Sequence, residues 1–200
     1  MFEIQIIKNL TNKFFPIQNQ INITHDLMFN INNICNLNCT NCSLNCGRRP
    51  AYSINLQDFK NQISKISKFI NLGTISLIGG EPLLHPNLKE MCIYLKEYIP
   101  FETLNIVSYG ILTNSFSDLD FEFFKKYNVT FTISIYPKKE YINIIKKFEY
   151  NCKKYNIICN IHGIRPCFGL YDYNQKGTNN KETSFYLCEK SEVPHTFVIY

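Results

Sequence analysis

Apolar residues recur along this chain in two alternating rhythms. At Leu56, Phe59, Ile63, Ile66 and Ile70 they are spaced by threes and fours, which places them on one helical face. Asn55 can cap this helix and Gly73 can end it, and an apolar strand, Thr74 to Ile78, follows at once. Pro86 opens a second helix with Leu88, Cys92 and Leu95 on one stripe, and Thr103 to Ser108 makes the next strand. Phe121 and Phe124 mark a shorter helix before the strand Val129 to Ile135, V-T-F-T-I-S-I. A further helix carries Tyr141, Ile145, Phe148 and Cys152 and leads into a strand from Ile157 to Ile161. Ahead of them all, Leu27 to Asn32, L-M-F-N-I-N, reads as the first strand. Strand and helix thus alternate at about 25 to 45 residues, which argues for right-handed βαβ units and a parallel sheet. The expected fold is α/β, a curved, partial TIM-type barrel.

The ends of the chain fit this rhythm less well. Phe2, Ile4 and Ile6 alternate like a strand, but Pro16 and a polar run break the alternation, so residues 1–24 are expected to form an extension packed on a core domain of residues 25–200. After Ile161 the polar stretch Asn174 to Ser184 looks like a loop, and Phe197 to Tyr200 starts a sixth strand. The simplest expectation is a barrel truncated at its C-terminal side.

Composition narrows the class. Two hundred residues, 45% hydrophobic and 18% charged, suit one globular domain. The longest apolar runs fall far short of the roughly 18 to 20 residues of a membrane span, and no signal peptide opens the chain, so a soluble, cytoplasmic protein is expected. Nine cysteines, bunched toward the front, then point to a reducing compartment rather than to disulfides. The net charge of +5 is mild and its lysines are scattered in pairs such as Lys125-Lys126 and Lys146-Lys147, so nucleic-acid binding is not indicated.

The bunched cysteines carry the first chemical signal. Cys35, Cys39 and Cys42 stand in a C-x3-C-x2-C spacing, and Cys46 follows four residues on. Thiols at this density suit a soft metal or an iron-sulfur cluster. A structural zinc site usually adds a second, distant pair of Cys or His, and a bacterial ferredoxin run would be C-x2-C-x2-C with a fourth Cys before proline; neither is present. A zinc knuckle or free thiols remain the plainer readings. Three cysteines holding a cubane would leave one iron open to an outside ligand.

Residues 74–86 read T-I-S-L-I-G-G-E-P-L-L-H-P, a strand running straight into Gly79-Gly80-Glu81-Pro82. With C-N-L-N-C-T-N-C about forty residues ahead of it, this order of motifs resembles the radical S-adenosylmethionine (SAM) enzyme superfamily over roughly residues 27–165. The resemblance implies a partial (β/α)6 barrel and a 4Fe-4S cluster on Cys35, Cys39 and Cys42. SAM would chelate the fourth iron, and its reductive cleavage would give a 5'-deoxyadenosyl radical. It also implies a one-electron donor such as a flavodoxin or ferredoxin. Gly79, Gly80, Glu81 and Pro82 would bind the methionine end of SAM, with Glu81 pairing with its amino group and not otherwise holding the fold. Ser134, ending the fourth strand, matches a position that contacts the SAM ribose.

The chain departs from the family pattern in places. Asn41 stands where an aromatic residue often precedes the third cysteine, and Ser108-Tyr109-Gly110 stands where many relatives have T-N-G. Cys46 is expected to be incidental, and Cys92, Cys152 and Cys159 to be core. Ile161-His162-Gly163 could approach the adenine, and Cys167 and Cys188 have no assigned role. Two classes of answer stay open: a radical SAM enzyme acting on a peptide or on a sugar or other small metabolite, or a non-catalytic iron-sulfur or zinc-binding relative.

Overall fold

The structure, a computed structural model, describes residues 21–37, 39, 42, 44, 46, 47, 49–68, 70–135, 139–163 and 197–199. Its strands are β1 (Ile21–Asn32), β2 (Ile70–Gly79), β3 (Phe101–Ser108), β4 (Val129–Ile135), β5 (Cys159–Gly163) and β6 (Phe197–Ile199). They form one sheet in the order β5-β4-β3-β2-β1-β6, and every pairing is parallel. The helices α1 (Leu56–Ile66), α2 (Leu88–Tyr98), α3 (Asp118–Lys126) and α4 (Lys139–Lys154) lie in turn between β1 and β5. This is the alternating α/β architecture that the periodicity predicts.

Alternation within the strands separates the two faces of the sheet. Phe29 and Ile31 of β1, Ile75 and Leu77 of β2, Leu104 and Ile106 of β3, and Phe131 and Ile133 of β4 join the buried stripes of the helices in one core cluster. Phe29 meets Phe59 of α1 edge to face at 5.0 Å between ring centroids, and Phe131 meets Phe124 of α3 at 5.0 Å and Phe148 of α4 at 5.2 Å. Between these residues stand Asn30, Ser76, Asn105, Thr130 and Thr132, on the face turned away from the helices.

Local chemistry closes the helices where the sequence asks it to. The Asn55 side chain accepts from Asp58 N at 2.8 Å and caps α1. Ser117 and Asp120 form a capping box at the start of α3. Asn128 and Asn156, at φ 48° and 55°, turn the chain out of α3 and α4, and their amides close on Lys125 O and Lys153 O.

Several boundaries differ from the sequence expectation. Helix α1 ends at Ser67, whose amide bonds Ile63 O at 2.9 Å, so Gly73 does not end it. Gly73 and Ile70 lie inside β2, because β1 begins at Ile21 and offers Ile21 to Ile23 as parallel partners for Ile70 to Leu72. Strand pairing overrides the helical spacing of Ile70. The sixth strand forms as expected but on the far edge, with Phe197 opposite Leu27, where it covers part of the open rim of β1. Cys92 and Cys152 are buried core residues as expected, while Cys159 is half-buried against the core. Residues 1–20, the loop at 174–184, Cys167 and Cys188 lie outside the described residues. Among the described residues, no helix is long and apolar enough to cross a membrane.

Phe131 is wholly buried and in ring contact with Phe116, Phe124 and Phe148. Phe131→Ala is expected to destabilise the protein by about 3 to 5 kcal/mol in urea unfolding, the cost of a large cavity among rings that cannot collapse. A loss of less than about 1 kcal/mol would contradict the packing described.

Candidate functional site at the carboxyl ends of the strands

At Asn32 strand β1 ends and the thiol loop begins. The loop is closed at its base: Asn33 N donates to Tyr52 O at 3.0 Å, Tyr52 N to Asn33 Oδ1 at 2.6 Å, and Asn33 Nδ2 to Pro50 O at 2.8 Å. Beneath these, Ile54 N donates to Ile31 O at 2.9 Å. The two ends of the loop are thereby held together over the end of the first strand.

The end of β2 crosses directly over this base. Gly80 N donates to Asn32 O at 2.9 Å and Glu81 N to Ile34 O at 2.8 Å, while the Asn32 side chain donates to Glu81 O at 3.2 Å. A Cβ on Gly80 would stand 2.4 Å from Ile34 O, and one on Gly79 would stand 2.7 Å from Asn32 O. The glycines are therefore required by the close approach of two backbones. Their place in the sequence suggests closeness to a ligand; the structure shows that the chain itself makes the approach.

Glu81 lies beyond this crossing and is fully buried. Its Oε1 accepts from Leu83 N at 2.9 Å, and its Oε2 accepts from the Ser108 hydroxyl at 3.0 Å and from Tyr109 N at 3.2 Å. The expectation that Glu81 leaves the fold untouched is corrected here: its carboxylate joins the ends of β2 and β3. Burial pushes its pKa from 4.5 up to about 7, against the lowering effect of the three donors. No counter-ion among the described residues offsets that burial, and a cationic amine in contact would favour the ionised form.

The thiols stand nearby. Cys35, Cys39 and Cys42 are half-buried, with Leu37 N donating to Cys35 Sγ at 3.3 Å and Cys46 N to Cys42 Sγ at 3.4 Å. Burial, and to a lesser degree the charges of Glu81, Cys39 and Cys42, push the Cys35 thiol up to about 12 although the Leu37 amide opposes it. Without a cation to displace its proton, Cys35 stays neutral. Among the described residues, no three His, Cys, Asp or Glu side chains converge on a point that would hold a single metal ion. Three half-buried thiols on one loop, two of them accepting backbone amides, are a donor set suited to a larger soft centre. Cys46 is more than incidental, since it is buried, its thiol hydrogen-bonds to Cys42, and its amide orients the Cys42 sulfur.

Three further residues build the site without a motif to announce them. Asn32 holds both sides of the backbone crossing. His85 is buried, accepting from Asn87 N at Nδ1 and donating from Nε2 to Ile54 O at 2.9 Å, so burial holds it neutral and it fastens the 3-10 turn Pro82–Leu84 beside the loop base. Tyr109, visible in the sequence only as a departure from a family pattern, donates its phenol hydrogen to Asn36 Oδ1 next to Cys35, while its amide holds Glu81. Pro82 opens the 3-10 turn and is buried. Ser134 lies half-buried at the end of β4 opposite His162 of β5, and no hydrogen bond ties it to Glu81.

A loop of thiols and a buried carboxylate stand together at the carboxyl ends of a parallel sheet, the end at which β/α-barrel folds carry their ligand sites. The family model described as the radical SAM superfamily matches residues 29–153, more than half of the chain, and the chain belongs to that superfamily. Its members are enzymes of SAM-dependent radical chemistry. No curated protein matches the sequence. Solved structures share the fold at low identity. HydG, a maturase of the FeFe-hydrogenase, is 13% identical with a TM-score of 0.55 over 97% of this chain and 45% of its own. The protein anSMEcpe, solved with AdoMet and the Cp18Cys peptide, is 16% identical with a TM-score of 0.53 over 68% and 42%. BtrN, solved with AdoMet and 2-DOIA, is 18% identical with a TM-score of 0.50 over 68% and 56%. This chain spans about half the length of these structures.

The raised pKa of Glu81 makes stability depend on pH. Between pH 4.5 and about 7 the folded carboxyl keeps a proton that the unfolded chain has lost, so the metal-free protein loses stability as pH rises through that window. The change is on the order of 3 kcal/mol across the window. Urea unfolding from pH 5 to 8 is expected to show this slope in the native protein and a flatter one in Glu81→Gln. Identical slopes would place the titration elsewhere.

Proposed function

We propose that this protein is a radical SAM enzyme that holds a 4Fe-4S cluster on Cys35, Cys39 and Cys42 and binds SAM beside Glu81. The observation that carries this reading is the backbone crossing of Gly80 and Glu81 over the base of the thiol loop. Through it a soft donor set and a buried carboxylate share one rigid support. When bound, the two cofactors supply reductive cleavage of SAM and a 5'-deoxyadenosyl radical that takes hydrogen from a substrate.

The chain's own residues do the binding and the orienting. Leu37 N and Cys46 N direct hydrogen bonds at two of the sulfurs, which favours their thiolate forms. Glu81 is aimed by Leu83 N, Ser108 and Tyr109 N and offers its charge to the methionine amino group, with Gly79 and Gly80 leaving the backbone bare beside it. Pro82 stiffens the exit of this segment, and Ser134 offers a hydroxyl to the ribose from the end of β4. The electron comes from a one-electron donor of flavodoxin or ferredoxin type, and the reaction runs in the cytoplasm without nucleic acid or membrane.

The buried Cys46 thiol beside Cys42 favours one other reading, a non-catalytic iron-sulfur or zinc protein closed by four thiols. The two readings differ in the variant series. After anaerobic reconstitution, Cys35→Ala, Cys39→Ala and Cys42→Ala are each expected to lose the cubane's absorption and spin signals. Cys46→Ala is expected to keep them, because it retains the amide that faces Cys42. Production of 5'-deoxyadenosine from SAM under a chemical reductant should follow the same pattern. Loss of the cluster in Cys46→Ala, with no SAM retained by the native protein, would establish the closed site instead.

A further inference from the structure

Two cysteines outside the thiol loop are brought together by the turn between α4 and β5. Cys152 lies in the last turn of α4, and Cys159 opens β5. Between them Asn156 takes the left-handed conformation at φ 55°, and Ile157 N donates to Cys152 O at 2.8 Å, so the chain folds back against the helix end it has just left. Register sets Cys159 beside Phe131 of β4, and Phe131 meets Phe148, one helical turn before Cys152, at 5.2 Å between ring centroids. Cys152 thus continues the stripe of Phe148 and Cys159 lies next to Phe131, on the two sides of one packing contact. The thiols meet there: both are free, and the Cys152 thiol hydrogen-bonds to the Cys159 sulfur.

The two thiols are not equivalent. Cys152 is 1% exposed, whereas Cys159 is half-buried on β5, the outermost strand at that edge of the sheet. The hydrogen bond from Cys152 holds the Cys159 thiol below its ordinary range, with help from the charge of Lys153, although burial and Glu149 oppose it. The same hydrogen bond, together with burial, pushes Cys152 up, and Cys152 also sits at the negative end of the helix dipole. One sulfur is therefore open to solvent and the more readily ionised, while the other is enclosed, protonated and in contact with it. Oxidant-sensitive cysteines have this arrangement, an accessible sulfur of lowered pKa beside a resolving partner.

We propose that Cys152 and Cys159 form a reversible disulfide, in which Cys159 reacts with hydrogen peroxide and Cys152 resolves the product. The Cys159 thiolate attacks one peroxide oxygen, an S–O bond forms as the O–O bond breaks, and the hydroxide released takes up a proton to leave as water. Cys152 then gives up its proton and attacks the Cys159 sulfur. The S–S bond forms, the S–O bond breaks, and the departing hydroxide takes a proton as a second water. Two thiols and one peroxide become one disulfide and two waters, the sulfurs supplying the two electrons. Two molecules of a small thiol such as glutathione return the pair to its reduced form. The bond spares Cys159 the irreversible step to sulfinic acid. It lies at the start of β5, the end of the parallel sheet opposite the strand ends that carry Glu81 and the thiol loop.

The test is thiol mapping of the full chain. The protein is treated with equimolar hydrogen peroxide, free thiols are blocked with N-ethylmaleimide, and an unreduced digest is read by tandem mass spectrometry. The expected product is a peptide pair joined through Cys152 and Cys159, lighter by two hydrogens than the separate peptides and lost after treatment with glutathione. In Cys152→Ala the sulfenic acid has no partner, so dimedone is expected to label Cys159, and excess peroxide should carry Cys159 to sulfinic acid several-fold more than in the native chain. Cys159 joined to any other cysteine, Cys159 left unmodified, or equal labelling and equal sulfinic acid in the native and Cys152→Ala chains would overturn the proposal. Should Cys152→Ala not fold, the map of the native chain decides alone.

Discussion

The site depends on one close approach of backbone to backbone. Gly80 and Glu81 lay their amides on the carbonyls of Asn32 and Ile34, and Asn32 returns its side-chain amide to Glu81 O. The ends of the two neighbouring strands β1 and β2 thereby become one surface. The thiol loop leaves this surface on one side, and the Glu81 carboxylate stands on the other. Because backbone dipoles and not mobile side chains make most of the contact, the relative placement of the two donor sets is fixed before any cofactor arrives.

Burial does the electrostatic work in this arrangement. Glu81 sits where a charge is costly, with three hydrogen-bond donors that recover part of that cost and no cation among the described residues to recover the rest. Cys35, half-buried on the other side, is raised chiefly by the same desolvation. Both groups are held toward their neutral forms by the same loss of solvent. Tyr109 connects them, since its amide bonds Glu81 and its phenol bonds Asn36 beside Cys35.

The helical stripes and the strand Val129–Ile135 were legible in the sequence because one period dominates each of them. The cysteine spacing and G-G-E-P were legible because few other uses need those residues together. Ile70 misled because its helical spacing continues that of α1, and only the long-range pairing with Ile21 reveals a strand. Asn32 and His85 were not legible, and Tyr109 showed only as a departure from a family pattern. Each has a partner more than thirty residues away in sequence, and nothing local distinguishes such an asparagine, histidine or tyrosine from a loop or core residue. The alternation in T-F-T-I-S was legible, but the alignment of Ser76, Asn105 and Thr130 across three strands follows only from the register.

The most direct measurement of this account is hydrogen exchange in Gly80→Ala, whose new Cβ would meet Ile34 O at 2.4 Å. The expected result is loss of protection at the amides of Gly80's neighbour Glu81 and across the thiol loop from Cys35 to Cys42. Iron uptake on reconstitution should fall together with that protection, while the amides of β3 and β4 remain as slow as in the native protein. Unchanged protection at Glu81 with normal iron uptake would show that the crossing does not organise the site.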